Sequence, residues 1–112
     1  MLIKLFFSIL KFQNLFSKGN NSNGFWSKNF ITGEIVQRGD SGVYSNGQIK
    51  TITLPIPFTN TNYIVIPINS NTITNNYYSY QPHAKTINNF KIRCQDQAGS
   101  SGGKVLWLAI GY

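Results

Sequence analysis

The sequence predicts an all-β fold, an antiparallel β-sandwich of about seven short strands with a short N-terminal helix. Three observations favour this class. Val105–Tyr112 is an uncharged apolar run with the length and residue types of a buried strand. Ile49–Phe58 alternates between two faces, with Ile52, Leu54, Ile56 and Phe58 on one side. Other short apolar runs are separated by residues typical of turns.

Val105–Tyr112 is the stretch that we expect the sheet to be built around. A run without charges is typical of a strand that is buried on both faces. A buried helix is the alternative, but Gly111 and the short length of the run favour a strand. We therefore expect this strand in the middle of a sheet, and the rest of the chain around it.

Composition and charge limit the possible functions. The chain has 112 residues, which fits one domain, and 41% of them are hydrophobic, as in a globular protein. The net charge of +7 favours an anionic partner, such as nucleic acid, a membrane or an acidic polysaccharide. The basic residues are scattered along the chain, so we expect no nucleic-acid partner. Cys94 is the single cysteine and is predicted to be a buried small side chain.

The N-terminal segment 1–18 differs from the remainder. Its Leu, Ile and Phe residues recur at helical spacing, and Lys4, Lys11 and Lys18 lie seven residues apart. A helix that packs in the core or on other copies, a signal or membrane-surface segment, and a poorly ordered tail all remain open. The Gly- and Asn-rich residues 19–23 predict a linker, so the expected domain boundaries are 1–18, 19–23 and 24–112.

The rest of the chain predicts strands in sequence. Thr32-Gly33 indicates a hairpin turn between two short strands, Gly39–Gly42 a chain break, and Asn46-Gly47 a second turn. Prolines indicate that Ile49–Phe58 ends at a sheet edge or a bulge. Further strands are expected at the following stretches: Tyr63–Ile68, Tyr77–Tyr80, Phe90–Cys94 and Val105–Tyr112.

Catalysis and metal binding are not expected. The acids Glu34, Asp40 and Asp96 are far apart in the sequence, and His83 is the only histidine. No nucleophile motif accompanies them, and they lack the spacing of a metal site. We therefore expect a protein that is not an enzyme and that carries no cofactor.

Four motifs, in order, resemble a known family. These are Gly24-Phe25-Trp26 leading to Ile35–Gly39, the strand Leu54–Phe58, the strand Asn88–Ile92, and Trp107–Tyr112. In this order and spacing they are similar to the C-terminal tip domains of bacteriophage tail fibres. Arg38 stands where the family usually has Trp, and Asn89 where Gly is common. The planar Arg38 side chain can still stack, but it cannot be buried unpaired.

The resemblance implies a homotrimeric, lectin-like β-sandwich in the virion, at the distal end of a tail fibre. Its expected function is recognition of the host surface, with a glycan or another anionic receptor and the fibre shaft as partners. A structural protein that caps the fibre without touching a receptor is the alternative. The chain would then be a fragment, a separate tip protein or a prophage remnant.

The candidate receptor-binding residues lie in the most aromatic polar segment and on the strand after it. Tyrosine rings can pack on sugar rings, and His, Lys and Asn side chains can form directed hydrogen bonds. Strand neighbours point to opposite faces, so at least one tyrosine of the adjacent pair at 77 and 78 is expected in the core. Two basic residues share a solvent face, where they could meet an anionic glycan or protect an edge. The candidates are Asn76, Tyr78, Tyr80, His83, Lys85, Lys91 and Arg93.

Overall fold

The computed structural model describes residues 2–4, 16–70, 78–96 and 103–112. Residues 2–4 are helical, and residues 5–15 of the predicted helical segment lie outside the described residues. Residues 16–18, expected in the same segment, belong to a strand instead. Eight strands follow: β1 Phe16–Asn21, β2 Gly24–Asn29, β3 Ile35–Val43, β4 Ile49–Thr53, β5 Ile64–Asn69, β6 Tyr78–His83, β7 Asn89–Asp96 and β8 Lys104–Gly111. They form a five-stranded sheet, ordered β1-β2-β3-β8-β5, and a three-stranded sheet, ordered β4-β7-β6. The predicted all-β sandwich is confirmed.

Strand β8 lies inside the five-stranded sheet, as expected. It pairs antiparallel with β3 on one side and with β5 on the other. Val105, Trp107 and Ala109 are buried and face the second sheet, whereas Leu106 and the alternate residues after it are only partly buried. The expectation that this strand is buried on both faces is therefore wrong for the single chain.

The core fills the space between the two sheets. Phe90, Ile92 and Cys94 of β7 are fully buried, which confirms the prediction for Cys94. The Phe90 ring packs edge to face against Trp107, with ring centres 5.3 Å apart. Gly39 lies beside that indole, because a Cβ atom there would be 2.6 Å from the nearest ring atom. A glycine is thus needed where β3 passes Trp107.

A buried glutamine attaches the proline-rich segment after β4 to the sheet. Gln37 has no exposed surface, and its side-chain amide accepts from Ile56 N at 3.0 Å and donates to Ile56 O at 2.9 Å. Asn21 Nδ2 donates to Pro55 O at 2.9 Å. The amide of Gln37 therefore substitutes for a strand partner, since Ile56 lies between two prolines that have no N–H. The strand predicted over Ile49–Phe58 is shorter in the structure: β4 stops at Thr53, and the part with the prolines, expected at a sheet edge or a bulge, lies outside the strand.

Three local predictions differ from the structure. Residues 19–23, expected as a linker, belong partly to β1, although the domain boundaries themselves stay a prediction. Gly39–Gly42 is not a break, because β3 continues through it with a bulge between Asp40 and Gly42. Strand β6 runs on to His83 instead of ending at Tyr80. The turns at Thr32-Gly33 and Asn46-Gly47 are confirmed, with φ of 79° at Gly33 and 78° at Gly47.

The outer face of the five-stranded sheet is apolar where β5 meets β8. Ile64, Ile66 and Ile68 are 63%, 44% and 44% exposed. The register places them opposite Ile110, Leu108 and Leu106, respectively. We call these six residues the apolar face. A contiguous exposed set of this kind is unusual on a monomeric protein and typical of a contact surface.

Candidate functional site

Three of the candidate binding residues lie together on the outer face of the three-stranded sheet. His83 is opposite Lys91, which in turn is opposite Thr51. In the next row Gln81, Arg93 and Ile49 are neighbours. All six side chains are exposed. We call them the polar face: Ile49, Thr51, Gln81, His83, Lys91 and Arg93.

The strands explain why these side chains share one face. In β7, Phe90, Ile92 and Cys94 point into the core, so Lys91 and Arg93 between them must point to solvent. The antiparallel register then brings alternate residues of β4 and β6 beside them. His83 belongs to this face because β6 extends to it, and its Nδ1 lies 3.1 Å from Gln81 O.

The positive charges of the polar face have no acidic partner among the described side chains. Across the described ranges the one ion pair joins Lys104 and Asp40, at 3.0 Å, and it belongs to the five-stranded sheet. Lys91 and Arg93 are thus available to an anionic group. Two cations next to a histidine produce a local positive potential that attracts anions over about one Debye length, ~8–10 Å.

The remaining candidates are not on this face. Tyr80 is opposite Cys94, packs against the core and meets the Tyr44 ring edge to face at 6.2 Å. Its expected role as a platform for sugar rings is therefore not supported by its position. Asn76 and the side chain of Tyr78 lie outside the described residues.

Lys85 has a structural contact. Its Nζ donates to Tyr63 O at 2.7 Å and lies 5.2 Å from the centre of the Tyr63 ring. The Tyr63 hydroxyl is within 2.7 Å of Thr86 O and 2.9 Å of Asn89 O, and burial raises the pKa of Tyr63 to about 12. Lys85 and Tyr63 together hold the turn between β6 and β7, and this turn fixes the register of His83 against Lys91.

His83 is on a different sheet from two of the acids that were considered for catalysis, Glu34 and Asp40, and the side chain of Asp96 lies outside the described residues. His83 is on β6 of the three-stranded sheet, whereas Asp40 is on β3 and Glu34 directly precedes β3 in the other sheet. Hydrogen bonding from Gly42 N, followed by Lys104, lowers the pKa of Asp40 below its usual value. In the described part of the chain no three His, Cys, Asp or Glu side chains are grouped to hold a metal ion. No helix there could cross a membrane.

Sequence reasoning missed the apolar face as a candidate site. The sequence shows that Ile64, Ile66 and Ile68 alternate with residues such as Val65, but it does not show which strand lies beside them. The register of β5 against β8 joins the two strands into one patch. Arg38, opposite Leu108 on β3, adds a cation at its border and lies 4.8 Å from the centre of the Phe25 ring, so it stacks as expected.

The sandwich exposes an apolar face on one sheet and a positively charged polar face on the other. Both are surfaces of the kind that contacts other molecules. The model of a protein family described as putative tail fiber protein gp53-like, C-terminal, matches residues 28–112. The chain therefore belongs to this family of tail-fibre C-terminal domains. This confirms the family expected from the sequence and the location at the distal tail fibre of a virion.

Solved structures with the same fold are also tail fibres. A fragment of the R2 pyocin fibre of P. aeruginosa has a TM-score of 0.72 at 19% identity, over 87% of this chain and 26% of that one. An N-truncated R2-type pyocin tail fibre has a TM-score of 0.71 at 19% identity, with 87% and 37% covered. An N-truncated R1-type fibre has a TM-score of 0.66 at 21% identity, with 87% and 85% covered. The chain thus spans 26% and 37% of the length of the first two structures. The search of curated proteins gave no match.

Proposed function

We propose that this chain is the receptor-binding tip domain of a tail fibre, which attaches to an anionic glycan or a similar group on the host surface without catalysis. The observation that carries the proposal is that the sandwich has two different outer surfaces on its two sheets. The apolar face belongs to the five-stranded sheet, and the polar face belongs to the three-stranded sheet. One suits contact with other copies, and the other suits contact with a charged surface.

We assign the apolar face to contacts among three copies of the chain around a shared axis, continuous with a fibre shaft. Its six aliphatic side chains carry no charge, so covering them removes apolar surface from water at little desolvation cost. Burial of a single Ile or Leu side chain contributes about 1.5–3 kcal/mol. The number of copies follows the resemblance to trimeric tips, and family membership supports it.

On such an assembly the polar faces would point outward, since they lie on the opposite side of each sandwich. Lys91 and Arg93 would supply the attraction to an anionic surface, and His83 and Gln81 would supply directed hydrogen bonds. One such face binds weakly, because exposed ion pairs contribute about 0–1 kcal/mol each. Three faces on one tip raise the overall affinity through their high effective concentration.

Charge reversal of the polar face tests the proposal. We expect Lys91→Glu/Arg93→Glu to reduce binding of the labelled protein to bacterial cells by at least about tenfold, because repulsion replaces attraction at every copy. Flow cytometry on a panel of strains measures this. The melting temperature should stay unchanged, since both side chains are exposed.

A matched control separates local from overall charge. Lys4→Glu/Lys18→Glu changes the net charge equally at two exposed lysines away from the polar face. This control should bind cells almost as the parent does. If both variants lose cell binding equally, the net charge explains the effect and the polar face does not. If Lys91→Glu/Arg93→Glu binds cells as the parent does, the result favours a fibre cap that does not use this face.

A further inference from the structure

A polar pocket opens where the two sheets approach each other beside β4, and it shares only Thr51 with the polar face. It has a volume of about 270 Å³. Ser22 and Asn23 from the β1–β2 turn form one wall, and Asp40 and Ser41 at the β3 bulge form another. Strand β4 completes the pocket with Lys50 and the residues after it. Its side chains carry hydroxyl, amide, carboxylate and ammonium groups at one location.

Strand β4 presents an open backbone edge to this pocket. Gln48 O accepts from Cys94 N, and Leu54 N donates to Asn88 O, so the even-numbered residues point their backbone groups toward β7. Backbone groups alternate in direction along an antiparallel pair. The N–H and C=O groups of Thr51 and Thr53 therefore point away from β7, toward the pocket that both residues line.

Lys50 and Asp40 are held in place by contacts with neighbouring residues. Lys50 Nζ donates to Ser41 O at 3.0 Å and to Val43 O at 2.7 Å, and it lies 4.6 Å from the centre of the Tyr44 ring. Asp40 Oδ1 accepts from Gly42 N at 2.8 Å, and Oδ2 lies 3.0 Å from Lys104 Nζ. Each carboxylate oxygen keeps a second lone pair. Asp40 thus keeps acceptor positions for a ligand, and the backbone N–H groups of Thr51 and Thr53 supply donors.

We propose that this pocket binds one sugar ring of a surface polysaccharide. Sugar hydroxyls donate and accept hydrogen bonds together, and the pocket offers both kinds of partner from Asp40 and the β4 backbone. Its volume lies just below the roughly 300–1,000 Å³ of sites for drug-sized ligands, which suits a single ring. The inference deepens the proposed function and rests on it for the source of the sugar.

The test is a titration of the full chain with rhamnose, glucose, galactose and N-acetylglucosamine, followed by amide NMR. We expect at least one sugar to shift the Asn23, Thr51 and Thr53 amides and to saturate at millimolar concentration. Ser22→Phe should fill the pocket, and Asn23→Ala should remove one polar partner from an exposed turn. Both variants should weaken the sugar's affinity, by about tenfold or more for the first. Thr61→Phe, at an exposed turn outside the pocket, is the matched control and should bind as the parent does.

The outcomes separate the pocket from the proposed function. Absence of shifts with all four sugars, or shifts that persist in both pocket variants, would overturn the pocket even if the parent binds cells. Sugar-induced shifts of the pocket amides in the parent, together with weaker sugar binding by both variants, would support the pocket. This holds even if no strain in the panel binds the parent. If the parent binds a sugar but no strain, the pocket would be supported and the proposed host recognition would be contradicted.

Discussion

Deletion of residues 109–112 is expected to leave a protein that does not fold. These residues end the strand between β3 and β5, where Ala109 is opposite both Gln37 and Val65. Thr59 N and Oγ1 also donate to Tyr112 O, at 2.7 and 2.9 Å. The truncation therefore leaves backbone groups of two strands without partners, and each buried unsatisfied group costs about 1–3 kcal/mol. Several such losses approach the roughly 5–15 kcal/mol of total stability of a domain.

Far- and near-ultraviolet circular dichroism on the refolded truncated protein measures this loss. Deletion of Leu2–Lys4 is the control, since all three residues are exposed and their removal should leave the melting curve unchanged. A truncated protein that melts like the parent would mean that the end of β8 is peripheral to the fold.

The second large effect concerns assembly, and we expect Ile66→Asp to convert the proposed trimer into a folded monomer. Ile66 is in the centre of the apolar face, opposite Leu108, and is 44% exposed in the single chain. A carboxylate there remains hydrated in the monomer but would lose its water in the assembly. Desolvation of an unpaired charge costs several kcal/mol, and three copies would each incur it. Size-exclusion chromatography with light scattering measures the mass.

Thr51→Asp gives the matched control, because it introduces the same charge on the outer face of the other sheet. This variant should keep the mass of the parent. Equal dissociation by both variants would contradict the assignment of the apolar face, as would a trimer that persists in Ile66→Asp.

Local patterns were sufficient to predict most of the fold. The absence of charge in Val105–Tyr112 indicated the central strand β8, and Thr32-Gly33 indicated the β2–β3 hairpin. Composition gave wrong predictions of secondary structure where tertiary contacts override it. Gly19 lies in β1 because the Trp26 indole covers it, and a Cβ atom there would be 3.0 Å from that ring. Pro82 is accommodated in β6 because this strand is at a sheet edge, where a missing N–H costs little.

The sites depend on register and sheet packing, which sequence spacing does not determine. Lys91 and Arg93 were predictable from their alternation with buried residues of β7, whereas His83 joins them only through the pairing of β6 with β7. Tyr80 looked like a binding residue, yet strand alternation turns it toward the core. The pocket was not predictable, since Asn23, Asp40 and Lys50 meet only where the two sheets approach each other.

Sedimentation equilibrium of the parent protein, from about 1 to 100 μM, tests most directly whether the sandwich works as an assembled tip. The apolar face has to be covered if three copies present their polar faces together to one host surface. We expect a single species with three times the monomer mass of 12.6 kDa throughout this range. A stable monomer at every concentration would contradict the account.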